Sequence, residues 1–140
     1  LGAFSYPTEG WGLTTDGSSL ILSDGSATLY FLDSQTLQTT RALQISLDGA
    51  PLDRLNELEY IRGEIYANIW YKDLIARIDP ASGEVVGVID CGSLRDGEGA
   101  PGPNDVLNGI AYDARGDRLY LTGKNWPWIY EVSLQSAQTP

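Results

Sequence analysis

The stretch LNELEYIRGEIYANIW, residues 55–70, places Asn56, Asn68 and Trp70 among apolar residues that otherwise suit strands. Trp11 and Lys124 stand at corresponding points earlier and later in the chain. Aromatic, amide and ammonium groups of this kind, if they converge, make one small polar pocket with apolar walls. Each also has a structural reading: an Asn at a strand start serves a turn, and a Trp between sheets serves packing. The chain contains no histidine, so His-based triads and His-ligated zinc are excluded. Asp24 and Asp105, with the Asn side chains, are candidate hard-oxygen ligands for a structural Ca²⁺, although no EF-hand spacing is present and both aspartates suit turns. No cofactor is required by any motif.

The bulk composition narrows the partners. Nineteen acidic against nine basic residues give a net charge of −10, and the basic residues are scattered. A nucleic-acid surface needs a basic stripe to displace counterions, so that class is excluded. The simplest role of the acidity is solubility. No apolar run approaches the roughly 20 residues that span a bilayer, and the start LGAFSYPTEG has neither a basic beginning nor an apolar core, so neither a membrane span nor an export signal is expected. The single cysteine, Cys91, allows no intramolecular disulfide.

The elements that must position these residues emerge from self-comparison. Three segments align: WGLTTDGSSLILSDGSATLYFLD from Trp11, NELEYIRGEIYANIWYKDLIARID from Asn56, and NGIAYDARGDRLYLTGKNWPWIYEV from Asn108. The starts are 45 (56 − 11) and then 52 (108 − 56) residues apart, the length of one propeller blade of four antiparallel strands. Short β-branched and aromatic runs at 20–22, 28–32, 39–47, 74–78 and 85–90 alternate with turn signals at Asp16-Gly17, Asp24-Gly25, Arg62-Gly63 and DPASGE. No helical period of any length is present. The fold expected is all-β, a β-propeller with about three four-stranded blades at 8–47, 55–91 and 106–135, the last lacking its outer strand, and with residues 1–7 as the outer strand of a preceding blade. In such blades Trp11, Asn56 and Asn108 start the innermost strands, while Ser23-Asp24, residues 68–70 and residues 122–124 end the second strands. Residues 48–54 read as a short polar connection, and the Gly- and Pro-rich stretch 92–105 as a mobile surface loop. Three blades form an arc with two open sides, so a homo-oligomer or part of a longer chain is expected.

The strings EGWGLTTDG, SDGSATLYFLD, LNELEYIRGEIYANIW, IARIDPASGEV, DVLNGIAYD and LTGKNWP together resemble the glutamine cyclotransferase family, the glutaminyl cyclases of the plant and bacterial type. The resemblance runs from about Thr8 to Val132, in the family's order. It implies a five-bladed propeller that converts an N-terminal glutamine to pyroglutamate with release of ammonia, acting on peptides without zinc. The Trp of the family's GWGL motif falls on Trp11, the Asn of LNELEY on Asn56, the Trp of AN-hydrophobic-W on Trp70, and the Lys of TGK-x-WP on Lys124. On this resemblance Asn56 and Lys124 are catalytic: Asn56 hydrogen-bonds the substrate's amide or amine, and Lys124 faces the developing oxyanion. Trp11 and Trp70 wall the substrate pocket. The family's export signals imply a periplasmic or secreted location, for which this chain itself offers no signal.

One departure matters. The family's proposed general acid and base is a glutamate upstream of the GWGL motif, with further pocket aromatics, and the chain is expected to lack them. Whether it turns over alone is therefore left open. Glu9 shares a side with Trp11 by strand alternation and is the possible stand-in acid. Glu57 points away from Asn56 by the same rule and reads as an acceptor between blades. The alternative is a non-catalytic binding or assembly module formed by oligomerised incomplete propellers.

Overall fold

The computed structural model describes residues 2–95, 102 and 105–135. Its first sheet is a meander of β1 (Gly12–Thr15), β2 (Ser19–Ser23), β3 (Thr28–Asp33) and β4 (Thr39–Gln44), paired antiparallel in that order. Each reversal has a local cause. Gly17 and Gly25 take φ of 91° and 83°, the left-handed region a turn demands, and the carboxylates of Asp16 and Asp24 accept backbone N–H groups two residues on.

After β5 (Ser46–Leu47) and β6 (Ala50–Pro51), a second sheet contains β7 (Leu55–Ile61), β8 (Glu64–Ile69), β9 (Leu74–Ile78) and β10 (Val85–Asp90). The β7–β8 hairpin closes through Arg62 and Gly63, at φ 51° and 89°; two consecutive left-handed residues make the two-residue turn that matches strand twist. The third sheet is β11 (Leu107–Asp113), β12 (Arg118–Gly123) and β13 (Tyr130–Val132). Strand β7 packs beside β1 on one side and β11 on the other, so the three innermost strands line the inside of an arc. This is an all-β, propeller-type fold whose sheets do not close into a ring among the described residues.

The second sheet has two apolar faces because it is sandwiched. Ile65, Ala67 and Ile69 of β8 pack with Ile21, Leu29 and Phe31 of the first sheet. Tyr66 and Ile75 turn the other way and pack with Leu107, Ile110, Leu119 and Leu121 of the third. A fully buried Leu or Ile contributes about 1.5–3 kcal/mol, so these two seams dominate the cohesion of the arc. Glu59 ties the innermost strands directly: one carboxylate oxygen accepts the Thr14 hydroxyl of β1 at 3.4 Å, and the other accepts the Tyr112 backbone N–H of β11 at 3.0 Å.

Three expectations meet a different local structure. The strand expected over 39–47 stops at Gln44, and Ser46–Leu47 pairs instead with Ala50–Pro51 within the supposed connection. Ile45 turns inward to 1% exposure, and Asp48 and Gly49, at φ 52° and 79°, fold the chain back on itself. Residues 2–10, expected to begin with an outer strand, contain no strand; among the described residues nothing pairs with them, and a strand exists only through a hydrogen-bonded neighbour. Of the stretch expected as a mobile loop, Gly92–Arg95 form a 3₁₀ turn and Arg95 is held by hydrogen bonds described below; most of the remainder lies outside the described residues.

Candidate functional site

The register fixes which residues share one end of the arc. Gly12 pairs with Ser23, Leu55 with Ile69, and Leu107 with Gly123. Trp11, Asn56, Trp70 and Lys124 therefore all lie at the same end of three neighbouring sheets. The two indoles meet there, edge to face, with centroids 5.9 Å apart and planes at 65°. Tyr71 extends the cluster at 5.1 Å from Trp70.

Backbone contacts explain why the indoles converge. A Cβ on Gly25 would lie 2.7 Å from the Trp11 ring, so only glycine lets that ring lie against the β2–β3 turn. Arg54 then bridges the two sheets: its N–H donates to the Gly25 carbonyl, and its carbonyl accepts the Trp70 N–H, each at 2.8 Å. The sheet carrying Trp11 is thus pinned to the turn carrying Trp70.

Asn56 lies at the same end, against the first sheet at Gly12 and Ser23. It is 6% exposed, its carbonyl accepts the Ser23 hydroxyl at 2.6 Å, and among the described residues its side-chain amide has no hydrogen-bond partner. A Cβ on Gly12 would sit 2.1 Å from the Asn56 carbonyl oxygen, so the first two sheets touch at backbone level here. The β7–β8 register shifts between Leu55 and Leu58, which places Asn56 and Glu57 in a bulge. A bulge breaks strict alternation, and so the rule that separates Asn56 and Glu57 by face holds only loosely.

Glu57, read from the sequence as an acceptor between blades, does face the neighbouring sheet. The positions equivalent to it in the flanking repeats are Gly12 and Gly109, so along the inner strands one carboxylate stands between two glycines. Glu57 is half-buried, faces the backbone N–H of Leu58 and Ile110, and borders, with Trp11, a cavity of about 570 Å³ on the first sheet. Burial pushes its pKa above the ordinary 4.5. The folded chain therefore holds a proton at Glu57 at pH values where the unfolded chain has lost it, and stability falls as pH rises from 4.5 through the folded pKa. Glu57→Gln is expected to flatten that decline and to raise the melting temperature at pH 7 relative to wild type, measured by thermal melts at a series of pH values. An unchanged pH slope would show that the carboxylate is solvated.

The other candidates are placed less intimately. Lys124 is exposed just beyond β12, its N–H bonded to the Val106 carbonyl at 2.8 Å, and it has no ion-pair partner among the described residues. Glu9 is exposed and lies outside any strand, so the alternation that put it beside Trp11 does not apply. Two further amides are unusual among the described residues: Asn68, fully buried, has neither amide atom hydrogen-bonded, and the half-buried Asn108 has its buried Oδ1 unpartnered. Buried polar atoms without partners are rare enough to require an explanation. The signal for Asn68 was present, a polar residue at the interior end of an apolar strand. Asp24 and Asp105 serve their own loops, accepting from Ser26 and from Gly102 and Asn125. Among the described residues no group of three or more His, Cys, Asp or Glu is placed to hold a metal ion, so the calcium reading finds no cluster there.

Comparison with known proteins follows the same residues. A family model described as glutamine cyclotransferase matches residues 1–134. A glutaminyl-peptide cyclotransferase of Arabidopsis thaliana is 46% identical over 131 residues, which cover 92% of this chain and 41% of that protein. The crystal structure of Myxococcus xanthus glutaminyl cyclase is similar with a TM-score of 0.86 at 43% identity, over 91% of this chain and 56% of that one. Kuenenia stuttgartiensis hydrazine synthase, at a TM-score of 0.60 and 16% identity, shares the fold alone. The chain thus spans less than half the length of the plant protein and just over half of the Myxococcus chain.

Proposed function

The chain belongs to the glutamine cyclotransferase family, and on that premise we propose that its Trp11, Asn56, Trp70 and Lys124 form part of a site that cyclises N-terminal glutamine in peptides. The observation that carries this reading is the edge-to-face indole pair at the same end of the arc as the nearly buried Asn56, whose side-chain amide has no hydrogen-bond partner among the described residues. In the reaction the α-amine nitrogen attacks the γ-amide carbon, forming the new C–N bond and an oxyanion. The attacking nitrogen gives up a proton, the amide nitrogen gains one, and the old C–N bond breaks to release ammonia. The attack is intramolecular, so folding the glutamine side chain back against the indole pair supplies much of the acceleration through orientation. Asn56 hydrogen-bonds the amide or amine, and Lys124 stabilises the oxyanion. Proton transfer needs a further group, contributing ~10² to ~10⁴ in rate. Glu9, the acid suggested by the sequence, lies two residues before Trp11 and is the stand-in to test.

A second reading is favoured by a specific observation. The first sheet is apolar on both sides: Leu20, Leu22 and Leu32 border the cavity on the face turned away from the second sheet, and Leu13 there is 55% exposed. A second copy laid on that face makes a binding or assembly module of incomplete propellers, with or without turnover. One experiment separates the readings: solution mass by light scattering, followed by ammonia release from a glutaminyl dipeptide. Turnover that disappears in Glu9→Gln supports the cyclotransferase reading with a local acid. A stable oligomer that binds the dipeptide without releasing ammonia supports the module, and a chain that neither binds nor turns over the dipeptide removes the first reading.

A further inference from the structure

We propose that Arg95 is a positioning residue that couples the Trp70 turn of the second sheet to the Lys124 loop of the third. Its consequence for catalysis rests on the cyclotransferase reading; the coupling itself does not. Arg95 ends the 3₁₀ turn that follows β10, and its guanidinium is largely covered, with 22% of the side chain exposed. Nε donates to Asp73 Oδ1 at 2.6 Å, Nη1 to the Gly102 carbonyl at 3.2 Å, and Nη2 to the Asp105 carbonyl at 2.9 Å. The guanidinium carbon also lies 5.5 Å from the centre of the Trp126 ring.

Those partners belong to different sheets. Asp73 lies three residues after Trp70, in the β8–β9 turn. Asp105 leads into β11 and gathers the loop after β12: its carbonyl also accepts the Trp126 indole N–H at 2.7 Å, and its carboxylate accepts the Asn125 amide at 3.1 Å. Lys124 stands between that loop and β12, its N–H on the carbonyl of Val106, the residue after Asp105. Trp126 in turn lies so close over Gly123 that a Cβ there would be 2.4 Å from the ring. One planar cation thus touches both the turn that presents Trp70 and the two segments that present Lys124. A guanidinium spreads its donors in a rigid fork, which a lysine ammonium cannot reproduce. A displacement of about 1 Å between groups that must meet one substrate can cost ~10²-fold in rate, so a clamp here sets geometry more than stability.

The test uses the full chain with ¹⁵N labelling, following hydrogen exchange at the Lys124 amide and the Trp126 indole in wild type, Arg95→Gln, Arg95→Lys and Asp73→Asn. Exchange at both positions is expected to rise ~10-fold in Arg95→Gln and to be little restored by Arg95→Lys, while the core amides of Leu29 and Ile65 stay unchanged. Asp73→Asn, on the other sheet, is expected to produce the same change at Trp126, and the double variant no more than either single one. Should Arg95→Gln fail to fold, Asp73→Asn reads the same coupling at nearly constant volume. Where wild type releases ammonia, the clamp variants lower kcat ~10-fold with less than about a twofold change in KM. Exchange that responds to Arg95→Gln but not to Asp73→Asn confines Arg95 to one sheet and overturns the proposal, as does exchange unchanged in every variant. A wild-type chain without ammonia release overturns the cyclotransferase reading instead, and leaves the exchange result to decide the coupling.

Discussion

Lys124→Ala is expected, on the proposed cyclotransferase reading, to reduce kcat for ammonia release from a glutaminyl peptide by ~10² to ~10³-fold while leaving the melting temperature within about 1–2 °C of wild type. The two halves of that expectation have separate causes. Lys124 is exposed and without an ion-pair partner among the described residues, so its ammonium stabilises nothing in the resting fold. In the reaction the charge on the carbonyl oxygen appears only in the tetrahedral intermediate, and a cation aimed at it acts on kcat more than on KM. Lys124→Arg keeps the charge but changes its reach, and is expected to retain a fraction of the rate. Steady-state kinetics with an ammonia-coupled assay decides the matter. A loss below about threefold, or a loss wholly in KM, would remove Lys124 from the oxyanion role and return it to the surface.

The second large effect runs in the opposite direction. Asn68 pairs across the sheet with Ile75 and lies on the same side of β8 as Tyr66, in the seam between the second and third sheets. Its amide is fully buried and, among the described residues, neither of its polar atoms is hydrogen-bonded. Burying such a group without a partner costs about 1–3 kcal/mol. Asn68→Leu, with the same branching and number of heavy atoms but no polar atoms, is expected to stabilise the chain in urea unfolding by that amount less the cost of fitting its larger methyl groups, and to lower turnover if the amide meets substrate or orients the Trp70 turn. Stability lost instead of gained would mean that an internal water completes the hydrogen bonds of Asn68 or that the larger side chain strains the seam. The pairing of a stability gain with an activity loss is what a residue kept for function against the interest of the fold produces.

Much of this architecture was legible without coordinates because it rests on short-range rules. Arg62-Gly63 and Asp24-Gly25 announce tight turns through backbone sterics, and the short β-branched and aromatic runs between such turns announce strands. The matching places of Trp11, Asn56, Trp70 and Lys124 follow from repeat alignment alone, because equivalent positions in equivalent sheets share one end of the arc. Alignment did not show that Trp11 and Trp70 would touch. Their contact depends on Gly25 yielding space and on Arg54 bonding to both sheets. Glu57 faces the Ile110 N–H of the next sheet, as its reading as an acceptor between blades expects, but a two-residue periodicity could not register the bulge between Leu55 and Leu58 or the desolvation of its carboxylate.

The sequence by itself determined the strand pattern, the three repeats, the family and the exclusion of histidine chemistry. Those properties depend on residue type and on spacing within a few tens of residues, where backbone sterics and hydrophobic periodicity act. Tertiary structure alone decided which polar groups lack partners, which carboxylate is desolvated, and which cation joins two sheets. Asn68, Glu57 and Arg95 acquire those properties from neighbours that are distant in sequence or out of register with them, and hydrogen bonding and desolvation depend on the atoms within a few ångströms, whatever their place along the chain.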